Sequence, residues 1–158
     1  MAKQYPGSSS TTAELASDYS DHGEEEVMQA LVTAGALVAL ADGKAEAVER
    51  DELVNFIDRQ RLVPAISRHD IAEAFDNRVR QLENRDSVDL IVQAFQPLAG
   101  RSLASVVVRT AERVAAADRQ IHRGELNALR LIRLLLMTLP AKRPTLASRA
   151  ANSSKGET

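Results

Sequence analysis

The sequence predicts an all-α fold, and three observations carry that prediction. Apolar residues recur at steps of three and four over six separate stretches, the period of a helix with one buried face. The composition is rich in Ala, Leu and Val, with 3% aromatic residues and no Trp, which suits close packing of helices better than a β-sandwich. A short pattern also occurs twice. Val38/Val114, Ala39/Ala115, Ala41/Ala117, Asp42/Asp118, Glu49/Glu125 and Leu53/Leu129 each lie 76 residues apart. In each copy an apolar helix ends at an Asp, a short loop follows, and a Glu lies in the first turn of the next helix. The chain of 158 residues fits one domain.

Residues 1–22 are rich in Ser, Thr, Ala and Gly, lack apolar periodicity and read as a disordered N-terminal tail that includes His22. Helix one is expected over 24–41. Glu24, Glu25 and Glu26 suit the positive end of its dipole, and Val27, Leu31, Ala34, Val38 and Ala41 form its buried stripe. Gly35 permits a neighbour to approach closely, and Gly43 is a natural left-handed terminator. Helix two, over 46–60, turns Leu53, Phe56 and Ile57 inward. Ser67 is the expected N-cap of helix three, with Asp70 in the capping-box position, and Ile71, Phe75, Val79 and Leu82 share its inner face. A turn is expected at Asn84-Arg85-Asp86. Helix four carries Val88, Ile91, Val92, Phe95 and Leu98 and stops at Gly100. Ser102 caps helix five, which runs to about Ala117 on a stripe of Leu103, Val107, Ala111 and Val114. Its run Val106-Val107-Val108 has strand propensity, but the long apolar spacing and the match to helix one favour helix. Helix six, 123–139, is apolar almost all round, as expected of a central helix or a dimer face. The domain is bounded at 23–139, and 140–158 reads as a flexible, slightly basic tail whose Lys142, Arg143, Arg149 and Lys155 serve solvation, with nucleic-acid contact the minority reading.

Charge is unevenly spread. Residues 1–100 hold nine basic and 18 acidic side chains, and residues 101–158 hold 11 basic and four acidic. Such an asymmetry suits head-to-tail association or an acidic partner, and an uneven surface without function explains it equally well. The absence of Cys excludes disulfides, thiol catalysis and Cys-based zinc sites. No signal peptide is evident, and the most apolar run, Leu126 to Leu139, holds Arg130 and Arg133 and falls short of the ~20 residues a membrane span needs. A cytoplasmic protein is expected. Gly-rich phosphate loops are absent, and Arg109, Arg113, Arg130 and Arg133 lack aromatic partners, so nucleic-acid binding is not expected. Ser67, His69 and Asp70 lie on one helical turn and cannot take the geometry of a catalytic triad.

The motif Ala41-Asp42-Gly43…Glu49-Arg50, with the second run Arg113-Val114-Ala115-Ala116-Ala117-Asp118…Glu125, resembles the TerB-like tellurite-resistance family over roughly residues 24–139. The resemblance implies a helical bundle of about six to seven helices with an internal pseudo-two-fold repeat. It also implies an acidic surface site for divalent cations, a place in bacterial stress and tellurite tolerance, and no enzymatic activity. The chain departs from the family pattern at Arg119, where Gly is expected. It departs again in the second loop, which lacks extra acidic residues, and at Ala47 and Val48, where carboxylates or hydroxyls are common.

Hard cations such as Ca2+ and Mg2+ take several oxygen ligands. Asp42 and Glu49, joined by Asp118 and Glu125, are the candidate metal ligands, with Glu46 and Glu52 as possible additions; the departures rank Asp42 and Glu49 first. An EF-hand is excluded by the missing Asp ladder, and His122 alone is a weak transition-metal ligand. A plain structural reading stands beside the cation one. In it the Asp residues bond loop N–H groups and the Glu residues favour helix N-termini. At the level of function, the expectation is a non-enzymatic cation-binding module that docks to stress-complex proteins and admits homo-oligomers. The alternative is a metal-independent interaction scaffold. A metal-assisted hydrolase is the least favoured reading, because no nucleophile or base is evident.

Overall fold

Six α-helices and one 3-10 turn make up the computed structural model, which describes residues 23–84, 87–117 and 119–140. The helices are α1 (Glu24–Leu40), α2 (Ala47–Arg59), α3 (Arg68–Asn84), α4 (Val88–Phe95), α5 (Leu103–Ala115) and α6 (Arg123–Thr138), and the 3-10 turn is Gln96–Leu98. No strand occurs among the described residues. The expected tails over 1–22 and 141–158, the turn residues Arg85 and Asp86, and Asp118 lie outside them.

Local chemistry sets most boundaries. Three glutamates stand in the first turn of α1, where the helix dipole favours negative charge. Asp70 donates its backbone N–H to Ser67 Oγ at 3.1 Å, the expected cap of α3. Helix four is shorter than its apolar spacing suggests. Pro97 falls in the 3-10 turn that follows Phe95, since a proline offers no N–H to continue the α-helical ladder. Leu98 is nevertheless buried, while Val88 is exposed. Ser102 has helical backbone angles, φ −58° and ψ −34°, unlike the extended conformation of a capping residue. Its carbonyl instead accepts the Ser105 hydroxyl at 2.8 Å.

The centre of the molecule is α1. It contacts every other helix, packing most extensively on α3 and α5. Of its residues, Val27, Ala30, Leu31, Val32, Ala34, Ala36, Val38 and Ala39 are almost wholly buried. A β-carbon on Gly35 would sit 3.0 Å from Leu53 Cδ1 and 3.6 Å from the Phe75 ring, so the missing side chain lets α2 and α3 close onto α1. The expectation that helix six is central is corrected. Its inner arc, Leu129, Ile132 and Leu136, joins the core, while Leu126, Leu131, Leu134 and Met137 are exposed. Arg123, Arg130 and Arg133 are exposed along it, so α6 is amphipathic rather than apolar all round, and it packs chiefly on α1 and α5.

The triple-valine stretch is helical, with Val107 fully buried in α5. Arg113 also departs from expectation, because its guanidinium lies 5.7 Å from the Phe56 ring centroid. That cation–π contact ties α5 to α2 and is internal to the domain.

Candidate functional site

The connection from α1 to α2 and the connection from α5 to α6 meet at one end of the bundle. Gly124, at the second position of α6, lies so close to the end of α1 that a β-carbon on it would overlap the Ala41 carbonyl oxygen. Hence the residue must be glycine for the two helix ends to touch. The 76-residue sequence offset extends to the backbone. Ala41 N–H donates to the Val38 carbonyl and Ala117 N–H to the Val114 carbonyl, both at 3.1 Å. Gly43 N–H reaches the Leu40 carbonyl at 3.0 Å, and Arg119 N–H reaches the Ala116 carbonyl at 3.2 Å. Both turn residues have positive φ, 110° at Gly43 and 66° at Arg119. Replacing the glycine therefore does not abolish the left-handed turn in the second connection; the arginine adopts it at a conformational cost.

Two of the sequence-identified carboxylates are deeply buried. Glu49 is 5% exposed and Glu125 1%, values rare for Glu without a structural partner. Each stands at the third position of its helix. Glu49 Oε2 accepts the Glu46 backbone N–H at 2.8 Å, and Glu125 Oε2 accepts the His122 backbone N–H at 2.6 Å. Both arrangements close capping boxes, in which a third-position carboxylate satisfies an N–H at the start of the helix. The spacings Glu46-x-x-Glu49 and His122-x-x-Glu125 carried this signal, but neither N-cap is the usual Ser or Thr. The caps support the structural reading of the two Glu residues.

They are more than caps, however, because the junction brings them together. Burial pushes the Glu49 carboxyl up to about 7. That value already includes the capping hydrogen bond from Glu46, which lowers it, and the nearby charges of Asp42, Glu125 and Glu46, which raise it. Asp42 is exposed at the rim and its Oδ1 accepts the Lys44 backbone N–H at 3.4 Å. Asp118 lies outside the described residues. Glu46 is exposed as the N-cap of α2. Glu52 faces elsewhere, 3.5 Å from Arg59. His122 serves as the N-cap of α6. The oxygen chemistry of Asp42, Glu49 and Glu125 fits a hard cation. Among the described residues, however, no group of three or more His, Cys, Asp or Glu side chains is arranged to hold one.

A six-helix bundle with one buried capping carboxylate from each of two helix-loop-helix units is the class that fold and site define. Over residues 9–146 the chain matches the family model described as Tellurite resistance protein TerB, and it belongs to that family. The match bears out the resemblance read from the two Asp…Glu motifs and extends beyond their span at both ends. No curated protein and no solved structure matches the chain. Among the described residues no helix is long and apolar enough to cross a membrane.

Proposed function

We propose that this TerB-family chain is a non-enzymatic module of a bacterial, cytoplasmic tellurite- or stress-response system. In this reading it takes a divalent hard cation, Ca2+ or Mg2+, at the junction and docks to partner proteins. The two connections act as copies of one unit. Glu49 and Glu125 supply the buried carboxylates, and Asp42 and Asp118 supply charge from the loops. One observation carries the reading: two carboxylates, one from each unit, are buried near each other, and the charge of Glu125 adds to the cost of ionising Glu49. A cation relieves that cost as a proton does, and offers more charge to relieve it with.

Calcium titration of the full chain at pH 8, followed by calorimetry and NMR, tests it. Saturable heat with shifts centred on Glu49 and Glu125, lost in Glu49→Gln, is the expected result. An intact fold with no heat and no shift at millimolar Ca2+ or Mg2+ would reject it. That outcome selects the metal-independent scaffold, which the two capping boxes favour, because they give both Glu side chains a purely structural task.

A further inference from the structure

The outward face of α6 and the groove beside it have no task in the cation reading. Leu126, Leu131, Leu134 and Met137 are 43%, 44%, 58% and 82% exposed. They lie on the side of the helix opposite the core-facing Leu129, Ile132 and Leu136, interspersed with the exposed Arg123, Asn127 and Arg130. Next to this side, between the N-terminal part of α5 and the C-terminal part of α6, lies a groove of about 630 Å³. Ala104, Val108, Leu136 and Met137 line it, together with Arg101 and Arg109. The groove lies at the ends of α5 and α6 away from the Glu49–Glu125 junction. Exposed large apolar side chains mixed with arginines beside a groove mark an interaction site.

Charge decides the occupant. Exposed on α6 are Arg123, Arg130 and Arg133, and on α5 Arg109. The acid lining the groove is Glu112, which is paired with Arg133. A second copy of the chain, related by a two-fold axis, would bring the arginines of one α6 against those of the other, and like charges in an interface oppose association. The segment after α6 has the same sign, with Lys142, Arg143, Arg149 and Lys155 against Glu157. The site is a shallow, open hollow between two helices, a shape that takes a helix laid along it. We propose that the α5–α6 groove receives an acidic amphipathic helix of a partner protein. Its Leu or Ile side chains lie on Val108, Leu134 and Met137, and its Glu or Asp residues face Arg101, Arg109 and Arg130. This deepens the partner-docking part of the proposed function and is independent of the cation, which is read at the other end of the bundle.

The test uses the full chain, isotope-labelled, and two synthetic helical peptides of about five turns with the same leucine spacing. One carries Glu and the other Lys at its polar positions. The Glu peptide is expected to shift resonances of Ala104, Val108, Leu134 and Met137 and to bind at least about tenfold tighter than the Lys peptide. Leu134→Ser weakens it, and Arg109→Glu with Arg130→Glu reverses the preference. All three positions are exposed, and circular dichroism confirms that each variant is folded; should the double variant unfold, Arg109→Glu alone reads the same reversal in part. Equal binding of the two peptides overturns the proposal, as do shifts that map elsewhere or a full chain that ignores both. Self-association through this face in sedimentation, or capture by phosphatidylserine vesicles in preference to the peptide, also overturns it. Loss of Ca2+ binding without loss of peptide binding fails the cation reading alone.

Discussion

Glu49 is the residue whose environment differs most from its ordinary one. Its folded-state pKa, about 7, lies above the unfolded value of 4.5. Between those values the folded chain holds a proton that the unfolded chain has released. Its contribution to stability is therefore fully present below about pH 4.5 and lost as the pH rises through about 7. Thermal melts from pH 4.5 to 8 should show a downward slope above that of the remaining groups, and Glu49→Gln should flatten it. Glutamine still accepts the Glu46 N–H, so the cap survives. A variant that keeps the full slope would remove Glu49 from the account. If a cation binds, saturating Ca2+ holds Glu49 charged and suppresses the same slope. Arg119 supplies a second prediction at this scale. It holds a φ of 66°, where glycine is easier by about 1 kcal/mol. Arg119→Gly should raise stability by up to about that amount, offset in part by the freer unfolded chain; a clear loss in urea denaturation would show that the arginine side chain contributes more than the turn costs.

Between elements, the decisive contact is that of the first turn of α6 with the last residues before the α1–α2 loop. Gly124 meets backbone rather than a flexible side chain, so no rotamer change can relieve a larger residue. Gly124→Ala should lower stability by about 2 kcal/mol or more. Amide exchange should quicken in the first turn of α6 before it does in α3. Equal exchange in the two helices would show that the contact is not what seats α6. The capping boxes of α2 and α6 were legible as spacings, but only proximity turns two routine caps into a pair of interacting charges.

For the whole molecule, stability rests on α1, which all other helices surround. Leu31→Ala should cost about 3 kcal/mol, as for a large-to-small change in a core. Leu134→Ala on the exposed face should change stability by less than about 0.5 kcal/mol. Chemical denaturation of the two variants checks the ranking, and comparable losses would make α6 as central as its composition suggests. The opposite charges of the two halves of the chain also acquire a location. Glu49 and Glu125 approach one another at the junction, while Arg101, Arg109 and Arg133 line the α5–α6 groove.

Apolar periodicity by itself determined the six helices and most of their ends, because a helix that buries one face must repeat its apolar residues every three to four positions. The 76-residue offset likewise determined which Asp and Glu residues correspond. What the chain could not disclose was how far neighbours enclose each helix, although α1 keeps its charges in the first turn while α6 carries Arg123, Arg130 and Arg133 along its length. Nor could it disclose that Glu49 and Glu125 are buried near each other. That depends on Gly124 reaching Ala41 across the fold, a contact between residues far apart in sequence. Hydrophobic pattern is a property of the segment, whereas the ionisation of a carboxylate depends on what the tertiary structure places beside it.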